Sequence, residues 1–221
     1  MSFYEKAESS ETESDEAQSD KTQSDETQSN HVKPWYGAYQ SILNDWTVIG
    51  QYGSGEIGYI KQYFGKDYQF DSYWLSDIDG DGTPELFLHA EHMNDLTAVF
   101  TYSGNELIYL MVDAIYGINK ERAEVVINGH WHGAGGSGID EWCVYGIADQ
   151  KAQELYYFDT YQEEGFDRQY VIYDVQNGAY EHQENGHIYQ ELYDAHVEGC
   201  VLASSYQKYD LDDLSGLNFI Q

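Results

Sequence analysis

The chain has 221 residues, and its 40 Asp and Glu residues outnumber its 10 Lys and Arg residues, which gives a formal net charge of −30. Nucleic-acid binders hold phosphates with clustered Lys and Arg, whereas the basic residues here are scattered, so the charge argues against nucleic-acid binding and against binding to an anionic membrane. No apolar run approaches the roughly 18 to 20 residues of a membrane span, so no transmembrane segment is expected.

Residues 1–34 are predicted to form a disordered, low-complexity acidic spacer. Between residues 8 and 30, all except Ala17 and Lys21 are Ser, Thr, Asp, Glu, Gln or Asn, so no apolar burial could offset the loss of chain entropy. The spacer carries a net charge of −6, which leaves −24 on residues 35–221. Those residues are predicted to form a single β-rich domain, since 21 Gly and 22 Tyr favour strands with many tight turns.

The location of the protein has two interpretations. Residues Met1–Tyr4 lack the basic and apolar regions of an export signal, which would fit a cytoplasmic protein or a chain that begins downstream of a removed signal. A polar spacer ahead of a compact domain is typical of a surface-tethered protein. We therefore expect an extracytoplasmic location, either secreted or lipid-anchored at the cell surface.

The predicted elements begin at Pro34. Apolar residues at spacings of three and four, with Pro in the first turn, predict an amphipathic helix that starts at Pro34 and stops by Gly50. Apolar or alternating runs separated by Gly, Asn and Asp predict strands, with hairpin turns at 103–105 and 177–178 and a further helix over 188–196. The predicted strands are 73–77, 85–90, 97–102, 106–115, 123–128, 140–147, 152–161 and 168–175. The predicted fold class is mainly β, a β-rich α+β domain with an antiparallel sheet and an N-terminal amphipathic helix.

The clearest chemical motif is the loop DIDGDGTPE, residues 77–85. Asp77, Asp79, Asp81 and Glu85 gather hard oxygen ligands, and Thr83 would add its backbone carbonyl. Calcium accepts six to eight such oxygens in flexible geometry, whereas magnesium demands a tighter octahedron. Because the four carboxylates would repel one another without a cation, these five residues are the predicted ligands of Ca²⁺.

The motif departs from an EF-hand, because Leu88 stands at the twelfth position and the last acid arrives early, at Glu85. The segment that follows, 86–88, is predicted to be a buried strand rather than a helix. The other interpretation of the loop is an acidic turn between two strands with no bound ion.

The segment 73–88, YWLSDIDGDGTPELFL, resembles the calcium-loop repeat of integrin-type β-propeller blades. It resembles more closely a group of uncharacterised secreted or lipoprotein-type proteins of Gram-positive gut bacteria, over roughly residues 35–160. The resemblance implies an extracytoplasmic, calcium-stabilised β domain and no known activity. The single loop argues against a complete propeller, and the signal and lipobox of such proteins do not occur here.

Two weaker patterns, a histidine pair and two cysteines, have more than one interpretation. His130 and His132, in a Gly-rich segment, could bind zinc in a metal-dependent hydrolase if His89 or His92 came near; the alternative is a flexible connection between strands. Cys143 and Cys200 could form a disulfide in an exported protein, although Cys143 in an apolar run is typical of a small core residue.

An aromatic β face is the remaining candidate. Such a face could recognise a cell-surface glycan or a peptide, and it would contain Tyr156, Tyr157, Tyr161, Tyr170 and Tyr173. The alternative is that every second residue of each strand simply faces the hydrophobic core. No catalytic residue is identified. The sequence therefore favours a non-catalytic, calcium-binding module, with recognition by the aromatic face and metal-dependent hydrolysis as the alternatives.

Overall fold

The computed structural model describes residues 33–45, 70–93, 95–129, 140–161, 167–183 and 186–218. All of them belong to one compact unit, Val32–Gln221. Most of the predicted spacer, as well as Trp46 and Gly50 at the predicted end of the first helix, lies outside the described residues.

Among the described residues, eleven strands form one antiparallel sheet, which confirms the predicted mainly β class. Helix α1 is Pro34–Asn44; helix α2 is His187–Leu192 and continues as a π-helical turn, Tyr193–Val197. The strands are β1 Ser72–Ser76, β2 Glu85–Ala90, β3 Leu96–Ser103, β4 Glu106–Asn119, β5 Glu124–Asn128, β6 Asp140–Ala148, β7 Lys151–Tyr161, β8 Gln169–Asp174, β9 Ala179–Gln183, β10 Val201–Leu202 and β11 Tyr209–Asp210. Short 3-10 turns are Glu91–Met93, Ala203–Ser205 and Leu214–Leu217.

The sheet is a meander in which β1 to β9 pair in chain order, β11 pairs with β1, and β10 pairs with β4. Strand β4 is shared by two halves of the sheet. Its first part pairs with β3, up to Ala114 opposite Leu96, and its last part pairs with β5, from Ile115 opposite Ile127. We call β11, β1, β2, β3 and the start of β4 the first half, and the end of β4 with β5–β9 and β10 the second half.

The hydrophobic core has three parts, because adjacent residues of a strand face opposite sides of the sheet. Tyr73 and Leu75 of β1 pack on α1 through its buried Trp35 and Tyr39. Trp74 faces the other way, into a central cluster between the two halves. The central cluster contains Trp74, Ile78, Phe87, Val99, Met111, Ile115, Ile118, Val125, Ile127, Cys143, Ile147 and Ala203. A third cluster, under α2, includes Val126, Trp142, Val144, Phe158, Ile172, Tyr189 and Val197.

The predicted turn at 103–105 is confirmed. Gly104 and Asn105 have φ of 58° and 68° between the paired residues Ser103 and Glu106, the backbone of a two-residue hairpin loop of type I′. The predicted reversal at 177–178 is also confirmed, with Gly178 at φ 66°. The strand that it leads to, β9, was not predicted, because Ala179–Gln183 is mostly polar.

Strand β4 continues to Asn119, four residues beyond its predicted end, because Gly117 lies in a strand rather than in a turn. The ladder with β5 is irregular between Ile115 and Gly117, and Leu202 of β10 pairs with Gly117 from the opposite edge. A Cβ on Gly117 would lie 2.9 Å from Cys200 Cβ and 2.9 Å from the Val201 carbonyl oxygen. The absence of a side chain at residue 117 is therefore what lets β10 approach β4.

We expect Gly117→Ala to lower the free energy of unfolding by about 1 to 3 kcal/mol, because the new methyl group forces β10 away from β4. The matched control is Gly37→Ala on the exposed side of α1, where a Cβ meets no atom within 4 Å; it should stabilise the helix by about 0.5 to 1 kcal/mol. Denaturant unfolding measures both. Equal effects of the two substitutions would contradict the close approach of β10.

Candidate metal site

The acidic loop connects β1 to β2, whose pairing ends at Ser76 opposite Glu85. Gly80 and Gly82 have φ of 74° and 90°, a left-handed conformation that glycine adopts without strain. Ile78 is fully buried in the central cluster, so the loop is anchored by an apolar side chain between two acidic residues.

Three carboxylates of the loop converge. Asp77, Asp79 and Asp81 each offer an oxygen, and these oxygens lie within 4.8 Å of one another. Asp77 is half-buried, and Asp79 and Asp81 are exposed. Partial burial raises the pKa of Asp79, and so do the nearby Asp81 and Asp77, whereas the hydrogen bond from the Asp81 amide lowers it.

Backbone amides orient these carboxylates. Asp77 accepts hydrogen bonds from the amides of Gly80, at 2.8 Å, and Gly82, at 3.1 Å. Asp79 Oδ1 accepts from the Asp81 amide at 3.1 Å, and Asp81 Oδ1 accepts from the Thr83 amide at 2.6 Å. The loop is therefore wrapped around its own acidic side chains.

Glu85, the fourth predicted acidic ligand, occupies a different environment. Its side chain is buried; Oε2 accepts from the Ile78 amide at 2.8 Å, and Oε1 accepts from the Thr101 hydroxyl at 3.1 Å. Burial, with a contribution from Asp79, raises the pKa of Glu85 to about 8. The structure thus groups the three aspartates and places Glu85 just inside them, in the sheet.

Tyr39 of α1 also belongs to this region and was not singled out from the sequence. Its hydroxyl donates to the Pro84 carbonyl over 2.7 Å, and burial, followed by Glu85 and Asp81, raises its pKa. The helical spacing of Tyr39 predicts a buried position but gives no sign of its partner, which lies 45 residues away.

The histidines proposed for a zinc site are only partly described. His130 and His132 lie outside the described residues. His89 is buried, and its ring nitrogens contact Thr97 Oγ1 at 3.0 Å and Lys208 Nζ at 2.7 Å. His92 Nδ1 lies 3.3 Å from Asp71 Oδ2.

The tyrosines proposed for an aromatic face do not form a single row. Tyr156 and Tyr170 pack on the third cluster, and Tyr170 lies 5.5 Å from the Tyr189 ring of α2. Tyr157 pairs with Tyr173 across β7 and β8 and follows Tyr156 directly, so this pair faces the other side of the sheet. The side chain of Tyr161 is outside the description.

The two cysteines are free thiols, so the disulfide considered for an exported protein is not formed. Cys143 lies in the central cluster and Cys200 packs against the third cluster, so the two lie on opposite sides of the second half. Burial raises the pKa of both thiols, that of Cys200 to about 12. Neither thiol is set up as a nucleophile.

A buried pair that the sequence did not reveal lies near Cys200. His196 Nδ1 is 2.8 Å from Glu124 Oε2, and both side chains are buried. The Cys200 thiol donates to the His196 backbone carbonyl at 3.0 Å rather than to the imidazole. The pair connects the π-helical turn to β5. Because the Cys200 thiol does not contact the imidazole, His196 is not placed to act as a base for that thiol.

Comparison with protein-family models, with curated proteins and with solved structures finds no match in any of the three. No helix among the described residues has the length and apolar character needed to cross a membrane. The functional argument therefore depends on the local geometry.

Glu85 should make stability depend on pH in metal-free buffer. Its pKa is about 8 in the folded protein against an ordinary 4.5, so between these values the folded protein holds a proton that the unfolded chain has lost. The free energy of unfolding should therefore fall as pH rises through this range, by up to about 1.4 kcal/mol per pH unit from this group. We expect Glu85→Gln, which cannot ionise, to remove that contribution.

Denaturant unfolding in EDTA across this range measures the slope, with Glu121→Gln as the control at an exposed glutamate. A Glu85→Gln curve parallel to those of the parent and the control would contradict a neutral, buried Glu85.

Proposed function

We propose that this protein is a non-catalytic β module that binds Ca²⁺ at the β1–β2 loop, with the ion in a structural role. The observation that carries the proposal is the convergence of Asp77, Asp79 and Asp81 within 4.8 Å of one another. The Thr83 carbonyl and Glu85 complete the proposed set of ligands.

The donor chemistry favours calcium. Carboxylate and carbonyl oxygens suit hard cations, and the flexible coordination of calcium tolerates an irregular loop better than the strict octahedron of magnesium. Burial is the main cause of the raised pKa of Asp79, and Asp81 and Asp77 add to it; a divalent cation would relieve that repulsion between carboxylates.

Glu85 would take part as a carboxylate once the ion is bound. A cation beside Asp79 favours the ionised form of Glu85, whose pKa is otherwise about 8. Calcium binding near neutral pH would then release a proton, as is general for ligands that must be deprotonated.

A structural role follows from what the loop joins. Ile78 reaches the central cluster, and Pro84 accepts the hydrogen bond of Tyr39 from α1. An ion that holds the loop therefore fixes the junction of α1, the first half of the sheet and the central cluster, and it stabilises the protein by binding only the folded form.

The proposal includes display outside the cell, either secreted or lipid-anchored, with the residues that precede α1 as a spacer that separates the module from the surface. The polar and acidic composition of residues 8–30 suits a solvated tether. Extracellular calcium modules work with dissociation constants of about 10⁻⁴ to 10⁻³ M, which a loop with exposed ligands could supply.

Thermal unfolding with calcium, with magnesium and with EDTA tests the site. At a free calcium concentration about a hundredfold above the dissociation constant, the parent should gain about 2.7 kcal/mol. That gain corresponds to a rise of roughly 5 to 10 °C in the midpoint for a domain of this size. Magnesium should give a much smaller rise.

Asp79→Ala should lose most of the response to calcium, because it removes a central ligand. Asp79→Asn keeps a side-chain oxygen that can accept the hydrogen bond from the Asp81 amide. Its unfolding midpoint should therefore still rise with calcium, but only at higher calcium concentrations. Asp212→Ala, at an exposed aspartate outside the loop, is the control and should respond like the parent. Identical parental midpoints under all three conditions would refute the calcium site.

A further inference from the structure

A cleft of about 230 Å³ lies beside β4 at the point where its partner changes. Strand β3 pairs with β4 up to Ala114, and β10 takes over the same edge at Gly117. Ile115 and Tyr116 lie between these two contacts and line the cleft. The cleft is thus a gap in the sheet, separate from the acidic loop.

Part of the lining of the cleft is apolar. It includes Ile115, Leu202 and Ala203, and the Trp74 ring lies beside them. Leu202 is 41% exposed and Val201 is 46% exposed. Among the described residues, these two are the exposed large hydrophobic residues. An apolar ligand body would shield part of this surface from water.

Other residues that line the cleft are polar, and their hydrogen bonds define the state of His89. Thr97 donates its only hydroxyl proton to the Asp95 carbonyl at 3.1 Å, so it accepts from His89 Nδ1–H at 3.0 Å. His89 Nε2 then carries a lone pair and accepts from Lys208 Nζ at 2.7 Å. Burial and Lys208 lower the pKa of His89, in agreement with a neutral ring.

Lys208 is therefore the positive charge of the cleft. Its ammonium has three donors, of which His89 takes one, and it lies 5.7 Å from the centroid of the Trp74 ring. Among the described residues, no carboxylate oxygen lies within 4.0 Å of this ammonium. Asp95 is the one carboxylate among the residues that line the cleft, and it lies beyond that distance. In a protein with a net charge of −30, a lysine at a cleft that forms no ion pair with a described residue suits an anionic ligand.

Trp74 supplies a second indication. Its ring is 1% exposed and is stacked on Phe87 at 4.8 Å. Its Nε1–H is buried and has no acceptor among the described residues. A buried donor without an acceptor costs about 1 to 3 kcal/mol, and Trp74 is one of the residues that line the cleft.

We propose that this cleft binds a small organic monocarboxylate, with the carboxylate on Lys208 and the apolar body against Ile115 and Leu202. A single negative charge is favoured because His89 adds no second positive charge and because Asp95 lies near the ligand, with Oδ1 3.6 Å from His89 Nε2. The volume is below the roughly 300 Å³ at which pockets for drug-sized ligands begin, which favours a compact molecule.

The test uses sodium benzoate as the probe, benzamide as its uncharged analogue and inorganic phosphate as a multiply charged anion. Titration calorimetry with the full chain measures affinity, and the NMR signal of the Trp74 indole N–H reports on the cleft itself. Benzoate should bind and shift this signal, with benzamide and phosphate each about tenfold weaker or more.

Three variants distinguish the loss of a ligand contact from a loss of folding. Lys208→Met should weaken benzoate about tenfold, the effect expected for losing one charge-assisted contact, whereas Lys151→Met, at an exposed lysine on β7, should bind like the parent. Leu202→Ser changes an exposed side chain and should weaken benzoate without unfolding the protein, which circular dichroism checks. Calcium-free protein should still bind, so a failure here is distinct from a failure of the calcium site.

The proposal is overturned if benzoate does not bind the parent, if benzamide binds as tightly as benzoate, or if phosphate binds more tightly. Unchanged binding by folded Lys208→Met or Leu202→Ser would also overturn it.

Discussion

The exchange of partners along β4 is the constraint on which the rest of the structure depends. One strand of 14 residues pairs with β3 over its first part and with β5 over its last part, so two halves of a meander share a single backbone. The central cluster exists because residues from both halves converge beside that strand. Gly117, which carries no side chain, lets β10 close the edge that β3 leaves.

The same exchange determines the position of one of the two candidate sites. The cleft lies between the last contact of β3 and the first contact of β10, so it is a direct product of the gap in pairing. The acidic loop lies at the β1–β2 turn. Its Ile78 packs in the central cluster, and its Pro84 carbonyl accepts a hydrogen bond from Tyr39 of α1. The two sites share the sheet but no side chain.

Local patterns predicted much of this arrangement. The helix at Pro34 and strands β1 to β8 follow from spacing and alternation, and Gly104-Asn105 indicated its hairpin. Strands β10 and β11 have two residues each, and such short segments carry no periodicity; they are strands only because β4 and β1 offer them partners. The predicted strand ended at residue 115, short of Gly117, because sequence alone does not show that another backbone approaches that glycine.

The loop shows the same limit. The alternation of Asp77, Asp79 and Asp81 predicted that their carboxylates converge, since it is a property of neighbouring residues. The inward placement of Glu85 depends on Thr101 and on the Ile78 amide, and the contact between Lys208 and His89 joins residues 119 positions apart. Such contacts depend on the three-dimensional packing and leave no signature in the local sequence.

The two free thiols have a consequence for how the opening of this protein could be followed. Cys143 belongs to the central cluster, and Cys200 lies on the other side of the second half, next to the π-helical turn. Because Cys143 is fully buried, we expect a thiol reagent to reach it when the central cluster opens, and to react with half-buried Cys200 when the third cluster opens. The native chain therefore carries two chemical reporters of local unfolding, one for each side of the second half, without any engineered label.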